Sequence, residues 1–490
     1  MSPILILSCI TAYFAILLLI AWYTSRHATN DSYFLGNKAS PWYAVAFGMI
    51  GDSLSGVTFI SVPGSVGRDQ FSYFQVVLGY GLGYAVIAGV LLPLYYRLNL
   101  TSIYSYLGQR FGPSAQKSGA GFFVVSRTMG AAARLYLAAN IIQMFVFDPW
   151  KIPFWVSVAA IIALILAYTY KGGIKTLVWT DTFQSAFLLL GVVLSIAAIM
   201  HQLNLGLSDL VHTVRESPHS RIFFWDWKQP SYFWKQFLSG AFIAVVMTGL
   251  DQNMMQKNLS CRSLRDAQKN ICCFSVVAVG VNLLFLSLGA LLYTFATRKG
   301  LEIPKLTDQL FPTLALEQHL GSFAAVVFII GLTAATFNSA DSVLTTLTTS
   351  FCIDFLGVDR RTDITDARKT RLRHITHLAF AVILLFVILA FRLVNSDAVI
   401  TAVLKLAGYT YGPLLGLFAF GLFCSRPVRD RFVPIVCVIS PLLCYGLDAN
   451  SAQWFNGYKF GFELLMLNGA FTALGLLLLS FPAVLQPSTQ

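Results

Sequence analysis

The chain has 490 residues, of which 56% are hydrophobic and 11% charged, with a mean hydropathy of +0.68, whereas an ordinary soluble domain carries about 25% charged residues. Apolar runs of about 20 residues, long enough to cross a ~30 Å hydrocarbon core, recur from end to end, which excludes a string of water-soluble domains. The net charge of +12 does not point to nucleic acid, because the basic residues sit in short loops between apolar runs and not along one helix face.

The first apolar run, Ile4 to Trp22, lacks a basic leading region and a small-residue cleavage site, so it reads as a retained span. Hydropathy and Gly/Pro/charge punctuation predict thirteen spans, over residues 3–22, 42–66, 72–96, 118–145, 152–170, 176–201, 236–256, 271–296, 318–350, 374–391, 397–424, 432–447 and 460–482. The whole chain, 1–490, therefore reads as a single transmembrane domain. Of the Lys and Arg residues, 20 fall in one alternating set of loops and 11 in the other. The richer set, which counts Lys257 as a loop residue, is assigned to the cytoplasm, with the N-terminus outside and the C-terminus inside. Only Arg127, Arg134 and Lys405 then lie within spans. Eight scattered cysteines form no CxxC pair, so neither a zinc site nor a disulfide framework is indicated.

The second span reads Gly48-Met49-Ile50-Gly51-Asp52-Ser53-Leu54-Ser55-Gly56, so small and polar residues interrupt the apolar run near mid-membrane. Two readings fit. Either the helix unwinds there and frees carbonyls that line a cavity or ion site, or Gly and Ser make a close helix-packing face. Arg134 in the fourth span and Lys405 in the eleventh fall well inside the bilayer by rise per residue. A lone buried cation needs an anionic partner. One reading gives them a substrate carboxylate, which the planar fork of Arg binds bidentately. The other pairs Asp52 with one of them, or lets Lys405 snorkel to the outer surface. Near the start of the sixth span, Asp181 is either part of an ion path or a first-turn carboxylate favoured by the helix dipole. The ninth span carries Thr333, Thr336, Asn338, Ser339, Asp341 and Ser342, a dense hydroxyl stripe with a carboxylate. Sodium is a hard cation that wants oxygen ligands, although hydroxyls also back-bond to their own helix. An ionisable residue such as Asp341 within a span marks an ion or substrate path by default.

Five stretches resemble the sodium/solute symporters, which include proline, pantothenate, sialate, galactose and iodide transporters. They are Ser53 to Gly64, Tyr168 to Gln184 (YTYKGGIKTLVWTDTFQ), Asp251 to Gln268 (DQNMMQKNLSCRSLRDAQ), Ala335 to Ser342 with Asp354, and Ala407 to Gly416 (AGYTYGPLLG). The resemblance implies an all-α integral membrane protein with a LeuT-like fold. Its core would be a five-plus-five inverted repeat, 42–201 and 236–424, preceded by an extra helix at 3–22 and followed by two at 432–482. It also implies a main sodium site of the carbonyls of Gly51, Leu54 and Ala335 with the side chains of Asn338 and Ser339. Asn338 departs from the adjacent hydroxyls usual there. Asp181, Asp341 and Ser342 match a second, more cytoplasmic cation site or exit path. Ser53, Arg134 and Lys405 are the expected substrate-binding residues.

The expected function is sodium-coupled import of a small organic solute, an anionic one such as a sialic acid or other carboxylate, across the cell inner membrane. The alternatives are sodium symport of a neutral sugar or amino acid, and an ion channel. A channel would more naturally show a pore repeat or charged rings. A membrane enzyme is disfavoured because the spans hold no HExxH, GxSxG or His/Asp pair. A receptor would carry a soluble output domain, which the sequence does not show. The partners expected are the solute, sodium ions and the lipid bilayer, with no nucleic acid.

Overall fold

A computed structural model describes residues 3–26, 30–317, 319–359, 361, 363–394 and 399–481. The described residues are almost wholly helical. The principal helices are α1 (Pro3–Thr24), α2 (Trp42–Ser53), α3 (Gly56–Asp69), α4 (Tyr73–Arg97), α5 (Pro113–Ile142), α6 (Phe154–Tyr170), α7 (Gly173–Leu203), α8 (Phe233–Gly249), α9 (Gln252–Leu259), α10 (Leu264–Lys299), α11 (Ser322–Phe355), α12 (Asp366–Val394), α13 (Val399–Thr410), α14 (Gly412–Phe423), α15 (Val433–Trp454) and α16 (Leu464–Leu478).

Eight of these helices are long and apolar enough to cross a membrane, and two bent pairs raise the number to ten. Every expected span coincides with a helix or a bent pair, but those at 152–170, 397–424 and 460–482 are represented by α6, by α13 with α14, and by α16, each under 18 residues. The count of thirteen therefore exceeds what length and composition support. The first two residues of the eleventh expected span and the last of the thirteenth lie outside the described residues.

Local chemistry sets the boundaries. Pro153 precedes α6 and Pro113 opens α5, where a missing N–H costs nothing. Between α6 and α7, Gly173 adopts φ 55° and ψ −150°, and a Cβ there would stand 2.5 Å from the Cα of Tyr33; only glycine fits that junction. The break between α2 and α3 falls at Leu54 and Ser55, with a bend of 50°. The unwinding reading of the second span thus describes the backbone.

A second break was not foreseen. The seventh expected span, 236–256, bends by 62° between α8 and α9, and Asp251 caps the new helix by accepting the N–H of Met254 at 3.2 Å. The helix continues to Leu259, so Lys257 is not a loop residue: it is 1% exposed. α11 forms the centre of the molecule, with 83% of its most apolar window buried, against 33% for α1, and it packs chiefly against α6 and α7. Its continuous burial is why hydroxyls and a carboxylate can be held there away from lipid.

Candidate functional site

The break in the first bent pair lies along α11. A Cβ added to Gly51 would meet Ser185 Oγ at 2.3 Å and Asn338 Nδ2 at 2.7 Å, and one added to Gly56 would meet Thr336 Oγ1 at 3.2 Å. Gly51 N–H donates to Ser185 Oγ at 2.9 Å. The last hydrogen bond of the α2 ladder runs from Leu54 N–H to Ile50 O at 2.8 Å, which leaves the carbonyls of Gly51 and Leu54 at the end of α2, where helix termini present unsatisfied acceptors.

Most hydroxyls of the α11 stripe are spent on their own helix. Thr333, Thr336, Thr346 and Thr348 donate to the carbonyls four residues back at 2.6 to 2.8 Å. Ser339 differs, since its contact with Ala335 O is 3.5 Å, the outer limit of a hydrogen bond. Asn338 donates from Nδ2 to Asp181 O at 3.3 Å, while its Oδ1 is buried without a hydrogen-bond partner. A buried amide oxygen without a donor is costly in an apolar interior, and it is the atom type that a hard cation takes.

Immediately inward, Ser342 Oγ donates to Asp181 Oδ2 at 3.4 Å. Asp341 accepts from Tyr168 Oη at 2.9 Å and from the N–H of Ser342 at 2.5 Å. Asp181 stands eight residues into α7 and is fully buried, so a first-turn dipole does not account for it. Lys257 does: its Nζ lies 2.5 Å from Asp181 Oδ2 and 3.2 Å from Asp52 Oδ2. Asp52 also accepts from Asn253 Nδ2 at 2.6 Å. The expectation that Asp52 pairs with Arg134 or Lys405 is therefore corrected. In sequence Lys257 reads as a loop cation because a charged residue at the polar end of a span looks like a loop; Asn253 and Lys257, four residues apart on one face of α9, are the signal that points inward.

Asp52 and Ser53 also line a cavity of about 80 Å³ together with Tyr73, Tyr80, Thr248, Arg127 and Arg134. Its two arginines differ. Arg127 is committed to Asp251 at 2.5 Å, a carboxylate that also accepts from Tyr411 Oη at 2.6 Å. Arg134 Nε is buried with no hydrogen-bond partner. Tyr73 and Tyr80 join their hydroxyls at 3.1 Å across the same cavity. Lys405 is not part of this constellation: its side chain is 62% exposed and pairs with Asp448 at 3.2 Å, in a separate cleft with Arg68 and Phe462. Counting helical rise puts its Cα within the bilayer but says nothing of where its long side chain goes, and that side chain is exposed. Asp354 is held by Ser102, Gln116 and Ser350 at 2.8 to 2.9 Å, a fully partnered structural carboxylate.

The chain matches the model of the sodium:solute symporter family over residues 33–430. It is 24% identical over 458 residues to the sodium/sialic acid symporter SiaT of Proteus mirabilis, covering 89% of each chain. It is 24% identical over 442 residues to the sodium/sialic acid symporter NanT of Aliivibrio fischeri, covering 88% of this chain and 85% of that one. The human sodium/iodide cotransporter is 25% identical over 422 residues, 81% of this chain and 62% of its own length. Among solved structures, a Na⁺-coupled sialic acid symporter in a substrate-bound outward-open state superposes with a TM-score of 0.82 at 20% identity, over 96% of this chain and 97% of that chain. MHP1, a nucleobase-cation-symport-1 family transporter in a closed conformation, superposes with a TM-score of 0.56 at 15% identity, over 91% of this chain and 92% of that one. With two bent helix pairs at its centre and the family match spanning most of its length, the chain belongs to the sodium:solute symporter family and is a multi-pass, LeuT-like secondary transporter that couples a small solute to sodium.

Proposed function

We propose that the transported solute is an anion of the sialate or carboxylated-sugar class, bound in the cavity between the two helix breaks and carried inward with sodium. The observation that carries this reading is the buried Nε of Arg134, a guanidinium nitrogen without a partner in a polar cavity whose other arginine is already paired. A carboxylate is the natural complement of that fork. Ser53 supplies a neighbouring polar contact on the cavity wall. Two of the relatives named above are sodium/sialic acid symporters, which supports the same class for this chain. At about 80 Å³ the cavity is smaller than the roughly 300 Å³ from which small-molecule sites begin. Binding therefore requires the flanking helices to part, as alternating access demands.

The main sodium site in this reading consists of the carbonyls of Gly51, Leu54 and Ala335 with Asn338 and Ser339, supported by the partnerless Oδ1 of Asn338 and the loosely held hydroxyl of Ser339. Asp181, Asp341 and Ser342 form the inner cation-binding cluster. The two bent pairs open the two inverted repeats, 42–201 and 236–424, flanked by the N-terminal helix at 3–22 and the C-terminal helices at 432–482. The protein sits in the cell inner membrane with its N-terminus outside. Removing Lys257 from the loop tally leaves the cytoplasmic excess of Lys and Arg intact.

Uptake into proteoliposomes under a sodium gradient, with labelled sialate, other sugar acids, neutral sugars and amino acids, tests the solute class. Sodium-dependent accumulation of a carboxylated sugar is expected. In Arg134→Lys, which keeps the charge but loses the fork, calorimetry should show a roughly tenfold weaker affinity, and Arg134→Ala roughly a hundredfold, in line with about 1.5–3 kcal/mol for hydrogen bonds to charged groups. Accumulation of a neutral solute alone, or undiminished affinity in folded Arg134→Ala, would overturn the reading.

A further inference from the structure

A groove of about 1030 Å³ runs between α1 and α7, and neither the sodium nor the solute reading makes use of it. Its floor is apolar, with Leu19 and Ile20 of α1, Phe47 of α2, and Phe183 and Ala186 of α7. Its mouth is basic: Arg26 follows the C-terminal end of α1, Lys175 stands in the first turn of α7, and both line the groove. The two helix ends meet there through the hydroxyls of Thr24 and Thr176, 2.9 Å apart. No acidic residue lines the groove, and among the described residues neither cation forms an ion pair. The Arg26 guanidinium stacks on the ring of Trp22 at 3.8 Å. Stacking uses the face of the group and leaves its in-plane N–H donors for an acceptor. Tyr23 and Trp179 are exposed beside the mouth, and such rings gather at headgroup level. From Lys175 to Ala186 the helix rises about 16 Å, close to half of a ~30 Å hydrocarbon core. The groove therefore has the depth of one leaflet, with positive charge at its polar end.

We propose that this groove binds one anionic phospholipid, its phosphate held by Arg26 and Lys175 and an acyl chain laid along Leu19, Phe47 and Phe183. The proposal goes beyond the solute and sodium assignments and stands without them. A free phosphate would neutralise the two cations but leave the apolar floor uncovered. A zwitterionic lipid would cover the floor but bring its own ammonium to a mouth that already holds two positive charges. An anionic lipid answers both ends of the groove at once. The inner wall is the seam between α2 and α7, where Thr182, which lines the groove, donates to Ala44 O at 3.1 Å. A lipid seated here touches the first broken helix from the membrane side, through Phe47.

The test titrates purified, delipidated full-length protein with phosphatidylglycerol or phosphatidylcholine and reads the first bound lipid by native mass spectrometry. Phosphatidylglycerol should bind roughly thirtyfold tighter than phosphatidylcholine, as two basic residues at a negative headgroup imply. Glycerol phosphate, which has the headgroup chemistry without the chains, should not displace it. Arg26→Gln with Lys175→Gln should reduce the preference to about threefold or less. Arg361→Gln with Lys369→Gln, which removes the same charge between α11 and the first turn of α12, should keep it. No preference in wild type, a full preference in the Arg26 and Lys175 pair, equal loss in both pairs, or displacement by glycerol phosphate would each overturn the proposal. Should the Arg26 and Lys175 pair fail to fold, wild type still decides. Phosphatidylglycerol with a photoreactive group in its acyl chain should label residues within 19–26 or 175–186, and labelling confined to other helices would overturn the assignment.

Discussion

The two helix breaks at the centre of the molecule do different work with different residues. The first, at Leu54 and Ser55, is bounded by Gly51, Ser53 and Gly56, and its side chains are small enough for the backbone to approach α11 and α7 closely. The second, at Leu250 and Asp251, is bounded by a carboxylate that caps α9 and binds Arg127 and Tyr411. One break ends a helix among small residues; the other is pinned by fixed charges of the chain. A transporter of this architecture needs both, since a helix broken without an internal partner would leave backbone groups unsatisfied at membrane depth.

The largest effect expected from breaking this contrast is at the second break. Asp251→Asn keeps the shape but removes the charge opposite Arg127, whose guanidinium is buried. Removing one partner of a buried pair costs about 3–5 kcal/mol, a large share of a typical stability of about 5–15 kcal/mol. The variant should show most of its folded yield lost by fluorescence-detected size exclusion, with or without sodium. A wild-type melting temperature would remove the anchoring role.

Next in size is the first break. Ser339→Ala deletes a hydroxyl that its own helix holds only at 3.5 Å, so folding should be little changed. The half-saturating sodium concentration should rise about tenfold, equivalent to about 1.4 kcal/mol. An unchanged sodium dependence of transport would remove Ser339 from the main site. Sodium sensitivity in Asp251→Asn, or a folding defect in Ser339→Ala, would blur the distinction between the two breaks.

This contrast explains what the sequence made legible. The first break was visible because Gly51-Asp52-Ser53-Leu54-Ser55-Gly56 interrupts an apolar run with residues that favour unwinding. The second was hidden, for Gly249-Leu250-Asp251 contains one glycine and falls inside a run, 236–256, that reads as a single span with Lys257 as the first loop residue after it. Hydropathy registers the polarity of Asn253 and Lys257 but not its direction, and only packing against Asp52 and Asp181 turns those side chains inward. The oxygen-bearing residues of α11 could be picked out by type, whereas which hydroxyls are free depends on back-bonding distances that no spacing reveals.

The smallest effect is expected for a charge that belongs to neither break. Lys405 and Arg134 look alike in sequence, each an isolated cation inside an apolar run. In the structure they differ in solvent access: Arg134 Nε is buried without a partner, while Lys405 is 62% exposed and faces Asp448 across an open cleft. An ion pair in contact with water contributes about 0.2–1 kcal/mol, and salt screens it further. Lys405→Ala should therefore leave the solute affinity within about twofold of wild type and the melting temperature nearly unchanged, measured by calorimetry and thermal unfolding on the same preparation. A hundredfold loss of affinity, the size expected of Arg134→Ala, would mean that the open cleft around Asp448 closes over the solute during transport, bringing Lys405 into the binding site with Arg134.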